Sequence, residues 1–280
     1  MSSDSPLISI IMPAYNARAT IRSAVASALG QTHRNIELLL VDDGSTDNTA
    51  GIALEFAARD PRLRVIKTPG GLGPAGARNA GIDAATAPRW IAFLDSDDVW
   101  SERKLELQIM EAHRTGAGLL FTSYWRISEV GTLAGRPVRV PQSLSAWQSY
   151  GNTAIATSTV LLDMNCTGRP KLDGTVGYDD YELWTRLLSQ GTPSRGIDQP
   201  LMAYRVRKSS VSSQKISMSK NVWTVLRYRR NLGRFASAWC FASYSSRAIF
   251  KHRIHAPRVS TQRTLDPSVL RALALDDHPC

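Results

Sequence analysis

Apolar residues in the first part of the chain fall in short uninterrupted runs, and the segments between them have helical spacing. Residues 7–12 (LISIIM) form an Ile-rich run that stops at Pro13, the pattern of a strand buried on both faces. Residues 36–41 (IELLLV), 63–66 and 90–94 (WIAFL) repeat it, and 119–123 predicts a fifth strand. Between them, 20–29 places Ala and Val on one helical face and ends at Gly30. A second helix opens at Ser45, Thr46 or Asp47 and runs to about residue 59. Two more cover 74–85, after a Gly-rich loop, and 101–115. Strands alternating with helices predict an α/β fold, a mostly parallel sheet with right-handed crossovers. From about residue 125 the alternation gives way to irregular segments and short strands. Helical spacing returns at 178–188, and 199–206 reads as an edge strand. Two basic amphipathic stretches follow, about 216–232 and 235–251, and the residues beyond about 255 read as weakly ordered.

Composition narrows the class. With 43% hydrophobic and 21% charged residues, 280 positions can build one large core, or one core plus an appendage. Cys166, Cys240 and Cys280 are scattered, so a disulfide framework is not expected and a reducing compartment fits. No basic segment precedes an apolar stretch at the start of the sequence, and no apolar run approaches the roughly 20 residues of a membrane span. The net charge of +10 is unevenly placed: residues 201–280 carry 15 of the 34 Lys and Arg against three Asp. Such a tail suits an anionic partner, either lipid head groups, phosphates or nucleic acid, or else forms a solvated basic face.

The chemistry-bearing residues sit where strands end, the edge at which open α/β sheets bind ligands. Asp95-Ser96-Asp97 is a D-x-D after an apolar strand, and two such carboxylates can converge on one hard cation that accompanies a diphosphate. Asp42 opens a run, Asp-Asp-Gly-Ser-Thr-Asp, that reads either as a strand-to-helix turn or as a carboxylate facing a base or ribose. Residues 71–76 match G-x-G-x-x-G, but they follow the third strand rather than the first and contain a proline, which argues against a dinucleotide site. Residues 177–186 read as a capped, acidic helix start with Leu183, Trp184 and Leu187 on its core face.

The motifs have an order: Pro13-Ala-Tyr15-Asn16, Val41-Asp42-Asp43-Gly44-Ser45-Thr46-Asp47, Gly76-Ala-Arg78-Asn79-Ala-Gly81 and Phe93-Leu94-Asp95-Ser96-Asp97-Asp98. This series resembles the family 2 glycosyltransferases over about residues 6–210. The resemblance implies a GT-A fold, inverting transfer from a nucleotide-diphosphate sugar, foremost a UDP-sugar, and Mg²⁺ or Mn²⁺ as cofactor. It implies that Pro13, Tyr15 and Asp42 border the nucleobase, that Arg78 lies near the nucleotide, that Asp95 faces ribose and diphosphate, and that Asp97 binds the metal. Tyr178-Asp179-Asp180-Tyr181-Glu182-Leu183-Trp184-Thr185-Arg186 is similar to the family's acidic motif, with Asp180 at the catalytic base and Asp179 in place of the usual Glu. Tyr204-Arg205-Val206-Arg207 is similar to a later segment in which a His binds the metal in some members. Arg207 stands at that position; it cannot ligate a cation but can lend charge to a diphosphate.

The reading that results is a transferase domain over 1–210, with a nucleotide-sugar half to about 125 and an acceptor half after it, and a basic helical tail over 211–280. A glycan or lipid-linked acceptor in bacterial surface polysaccharide synthesis and a cytoplasmic place on an anionic membrane surface are expected, with no nucleic acid bound. The rival reading is a basic nucleic-acid- or membrane-binding protein on an inactive GT-A scaffold, which the acidic motifs of the first 200 residues disfavour.

Overall fold

A computed structural model describes residues 5–86, 88–151, 155–175, 177–206, 220–230, 232–253 and 265–276, apart from the side chains of 246–253. The chain opens with β1 (Ile8–Ala14), α1 (Ile21–Leu29), β2 (Ile36–Asp42), α2 (Thr49–Ala57), β3 (Leu63–Lys67), α3 (Gly73–Ala84) and β4 (Trp90–Phe93). It continues with β5 (Val99–Trp100), α4 (Lys104–Thr115), β6 (Leu119–Ile127), α5 (Ala146–Tyr150), a 3₁₀ turn at Thr157–Thr159, β7 (Leu161–Asp163) and α6 (Met164–Thr167). It ends with α7 (Asp179–Ser189), β8 (Ser194–Arg205), a π-helical turn at Val225–Arg229, α8 (Arg234–Arg253) and α9 (Pro267–Leu273).

The eight strands form one sheet in the order β3-β2-β1-β4-β7-β6-β8-β5. Strands β1 to β4 pair in parallel. Their runs are unbroken because helices cover both faces. Ile8, Ile10 and Met12 belong to the core under α1, α2 and α4, while Ile11 belongs to the core under α3 and α7. The period-2 alternation of a strand thus feeds two apolar layers. Helix α3 lies especially near the sheet: a Cβ on Gly81 would sit 2.6 Å from Ile11 Cγ2 and 3.2 Å from Val41 Cγ2.

Beyond β4 the sheet is mixed. Strand β7 runs antiparallel to β4 and β6, β6 runs parallel to β8, and β5 runs antiparallel to β8. The edge strand expected at 199–206 is longer and interior: β8 begins at Ser194 and lies between β6 and β5. Strand β5 takes the edge, and its two residues are too few for any periodicity to register.

The later segments close over the second half of the sheet in two places. Val222, Val225 and Leu226, with Cys240 and Tyr244 of α8, pack on Tyr150 of α5 and Tyr181 of α7. On its outer side α8 leaves Phe235 94% and Trp239 71% exposed. The expected weak order beyond about 255 does not describe residues 265–276. Asp266 caps α9 by accepting from the Ser268 N–H at 2.8 Å, and Pro267 occupies a first-turn position that suits it. Leu265, Val269 and Leu273 then bury against Val99, Ile127 and Ala203.

Candidate active site

The carboxyl ends of β1 and β2 lie side by side, with Pro13 opposite Val41 and Ala14 opposite Asp42. Tyr15 follows with its ring 60% exposed. Asp42 is buried and its Oδ1 accepts from the Ser45 N–H at 3.3 Å. The turn reading of the Asp42 run is thus seen in this bond, and Asp42 also stands beside Pro13 at the strand ends. Asn16, at φ +48°, accepts from the Thr46 N–H at 2.8 Å, while its own N–H donates to Ser45 Oγ at 3.0 Å. Asn tolerates this left-handed conformation better than most residues. These bonds stitch the loop after β1 to the loop after β2.

Asp43 builds the neighbouring wall. Its carboxylate accepts from Thr68 Oγ1 at 2.7 Å, the Leu72 N–H at 3.2 Å and the Gly73 N–H at 2.8 Å. A negative charge at the start of α3 suits the helix dipole. Gly44, at φ +78°, is required here, because a Cβ would come within 2.8 Å of the Gly70 Cα.

Arg78 projects from the buried face of α3 and its Nη2 donates to Asp95 Oδ1 in an ion pair. Burial opposes its charge, yet Asp95, and after it Asp180 and Asp179, hold the guanidinium ionised more firmly than usual. Asp95 is fixed in turn by its N–H, which donates to Ser158 Oγ at 3.0 Å. Asp98, also buried, has its carboxyl pushed up by desolvation and by the charges of Asp97 and Asp95. Its Oδ1 accepts from the Arg205 N–H at 3.0 Å. Arg205 Nε donates to the carbonyl oxygen of Asp97 at 3.0 Å. Three carboxylates thus share one turn, and all are hard oxygen donors of the kind Mg²⁺ and Mn²⁺ favour. Among the described residues no group of three or more His, Cys, Asp or Glu side chains is arranged to hold a metal unaided. A cation here fits only together with oxygens of the ligand it accompanies.

Asp180 stands in the first turn of α7. Its Oδ2 accepts from Thr157 Oγ1 at 2.9 Å and its Oδ1 from the Tyr181 N–H at 2.7 Å. Burial raises its carboxyl above the usual range, against the pull of Arg78. A cavity of about 20 Å³, room for one water, lies behind it between Tyr178, Tyr181 and Trp184. Tyr178 stacks on Tyr181 at 5.2 Å and meets Tyr244 of α8 edge-on at 6.5 Å. The base candidate is therefore walled by the tail as well as by its own helix.

The structure gathers Arg78, Asp95 and Asp180 into one electrostatic cluster, with Asp97 on the same turn as Asp95, and sets Pro13, Tyr15 and Asp42 together at the β1–β2 end. Arg207 lies outside the described residues. Asp43, Thr157, Ser158, Arg205 and Asp276 have structural parts in this site that the sequence reading did not assign. Arg205 lies inside a recognised motif; nothing in the local pattern distinguishes Thr157, Ser158 or Asp276.

The comparisons with known proteins agree with this geometry. The chain is 35% identical over 251 residues to the Bacillus subtilis protein TuaG, a glycosyltransferase assigned to teichuronic acid biosynthesis, covering 90% of this chain and 99% of that one. It is 38% identical over 225 residues to Escherichia coli WfgD, a UDP-Glc:alpha-D-GlcNAc-diphosphoundecaprenol beta-1,3-glucosyltransferase, covering 80% and 86%. In fold it matches the mannosyltransferase PcManGT of Pyrobaculum calidifontis, solved with GDP-Man and Mn²⁺, at a TM-score of 0.65 and 17% identity over 96% of this chain and 78% of that one. Staphylococcus aureus TarS 1–349, solved with UDP, matches at 0.64 and 16% identity over 87% and 72%. The model of glycosyl transferase family 2 covers residues 9–168, and with these relatives it makes the chain a member of that family, a glycosyltransferase on a GT-A fold.

Proposed function

We propose that this chain is an inverting glycosyltransferase that carries a sugar from a nucleotide-diphosphate sugar, foremost a UDP-sugar, to a hydroxyl of a lipid-linked glycan in bacterial surface polysaccharide synthesis. The observation that carries this reading is the position of Arg78, paired with Asp95 at the donor edge and within electrostatic reach of Asp180 at the acceptor edge. The activity for which WfgD is named, a transfer from UDP-Glc to a diphosphoundecaprenol-linked sugar, supports the choice of donor and acceptor class.

Pro13, Tyr15 and Asp42 border the base, with the exposed Tyr15 ring as its platform. Arg78 holds Asp95 oriented toward ribose and diphosphate. Asp97, with Asp95 beside it, would hold Mg²⁺ or Mn²⁺, which supplies Lewis-acid neutralisation of the diphosphate charge. Arg207 adds positive charge at the same group. Asp180, ionised, accepts the proton of the acceptor hydroxyl as its oxygen bonds to the anomeric carbon. The bond from that carbon to the diphosphate oxygen breaks on the opposite face, so the configuration inverts and the nucleoside diphosphate leaves with the bonding electrons. Thr157 keeps the Asp180 carboxylate aimed, and the raised proton affinity of Asp180 suits proton acceptance near neutral pH.

In this reading residues 1–210, with the described tail segments packed on them, form the transferase unit, and the basic tail also sets the enzyme on the inner face of the cell membrane. No described helix is long and apolar enough to cross a membrane. Phe235 and Trp239, four residues apart on α8, are exposed, and Arg227, Arg229 and Arg234 precede them closely in sequence, Arg229 being paired with Asp173. That arrangement suits a helix lying in the head-group plane of an anionic bilayer.

The test is a thermal-shift panel of UDP-, GDP- and dTDP-sugars with and without Mn²⁺, followed by transfer to a polyprenyl-diphosphate-linked sugar. A UDP-sugar with Mn²⁺ is expected to stabilise the fold by mass action and to give product. A flat response to every donor would overturn the reading.

A further inference from the structure

We infer that Arg205 and Asp276 form a clamp that fixes the D-x-D turn for binding of a cation and a diphosphate, so that residues 265–276 belong to the donor site as a positioning element. This rests on the reading of Asp97 as the metal-bearing carboxylate.

Arg205 is 5% exposed, and four of its nitrogens have fixed partners. Its N–H donates to Asp98 Oδ1 at 3.0 Å, Nε to the Asp97 carbonyl at 3.0 Å, Nη1 to the Glu129 carbonyl at 2.6 Å and Nη2 to Asp276 Oδ2 at 2.8 Å. The first two hold the turn from behind: one restrains the Asp98 side chain, the other the Asp97 peptide from which its side chain springs. A guanidinium this buried requires a counter-charge. Asp276 supplies it and is itself immobilised, accepting from the Ser23 N–H at 3.1 Å and from Ser23 Oγ at 2.8 Å on α1. Helix α9 delivers Asp276 to this point. Its Asp266 accepts from Ser101 Oγ at 2.9 Å, and its Ser268 Oγ accepts from the Glu102 N–H at 3.1 Å, tying the helix to the segment that follows β5.

The arrangement has a consequence for the metal. With Asp276 in place, Arg205 is neutralised from the side away from the turn. Without it, the guanidinium loses this counter-charge while staying bonded to the D-x-D turn, where it competes with the cation for the carboxylates of that turn. Asp276 thereby keeps the D-x-D carboxylates available.

The experiment measures Mn²⁺ affinity in the presence of UDP by electron paramagnetic resonance, alongside kcat over a Mn²⁺ series. Asp276→Asn is expected to weaken Mn²⁺ binding roughly tenfold, with kcat at saturating Mn²⁺ held within about twofold, and Asp276→Glu is expected to recover much of the loss. Ser23→Ala, a milder change that stays readable even if Asp276→Asn folds poorly, is expected to cost about threefold. Leu63→Ala removes a buried side chain at the start of β3, on the far edge of the sheet from α9; its Tm falls while its Mn²⁺ affinity stays at the wild-type value. Unchanged Mn²⁺ affinity in Asp276→Asn and Ser23→Ala overturns the clamp alone, as does an equal loss in Leu63→Ala. A wild-type protein that takes up no Mn²⁺ with UDP overturns the metal reading and the clamp with it.

Discussion

The two halves of the sheet are built by different rules. From β1 to β4, every strand is parallel, both faces are covered, and each functional carboxylate follows directly from the strand that ends before it. From β5 onward, strands of two and three residues run against their neighbours, and site residues are fixed by partners far along the chain. Thr157 reaches Asp180, Ser158 reaches Asp95 and Arg205 reaches Asp97. The donor edge is thus laid out locally, by runs and turns, and braced at its D-x-D turn from the second half, while Asp180 is set by tertiary contact. A substitution at the donor edge or its brace should disturb binding of the donor; one at Asp180 or Thr157 should disturb turnover with the donor still bound.

Asp180→Asn is the sharpest test of that division. It preserves size and most hydrogen bonding but removes proton acceptance, so transfer should fall about 10²–10⁴-fold. Donor binding, read by thermal shift, should hold. Normal turnover in Asp180→Asn with loss in Asp179→Asn would move the base by one residue.

Asp97→Ala should show the opposite signature. Loss of the proposed cation ligand on this half-buried turn leaves the fold intact and lowers the affinity for Mn²⁺ by about 10–100-fold or more, the scale set by changes one shell further out. Full activity of the wild type in EDTA would remove the metal from the mechanism and leave the donor half to Arg78 and Arg207.

The pH profile sharpens the comparison further. Asp180 works ionised, and burial raises its proton affinity, so the acidic limb of kcat should lie above the ordinary carboxylate range of about 4. Thr157→Val removes a donor that favours the ionised form. Its acidic limb should therefore move to still higher pH, with the donor KM unchanged. A limb that stays put would show that Thr157 only shapes the backbone.

The smallest effect belongs to the tail. Trp239→Ala should weaken sedimentation with anionic liposomes by about 1 kcal/mol, roughly fivefold, as partial loss of an apolar contact. It should leave transfer to a soluble acceptor analogue unaltered. Equal binding to neutral liposomes, or no response to salt, would assign the tail to packing alone.

This division also explains what was legible. Strands β1 to β4 announce themselves as Ile-, Leu- and Trp-rich runs, and the motifs at their ends follow because turn chemistry is local. The helix that carries Asp180 was legible from its apolar face, whereas Asp180 itself was singled out only by resemblance to the family's acidic motif. Strands β5 and β7 were not, since two or three residues carry no period. Helix α9 was overlooked because seven residues offer barely two turns, although Asp266-Pro267 was a readable start signal. The part Arg205 plays could not be read at all: Arg205 and Asp276 lie 71 positions apart, and only the folded sheet brings them together.

The bond from Ser23 to Asp276 spans 253 positions. Closing so long a loop is entropically costly and comes late in folding. Refolding should therefore restore burial of Trp90 and Trp100 before it restores nucleotide affinity, a lag visible by stopped-flow fluorescence with UDP present. On the ribosome the same order holds. A nascent chain short of residue 276 already carries β1 to β4 and the whole D-x-D motif, but Arg205 has no counter-charge. Until residue 276 is in place, such a chain should show the weakened Mn²⁺ affinity expected of Asp276→Asn.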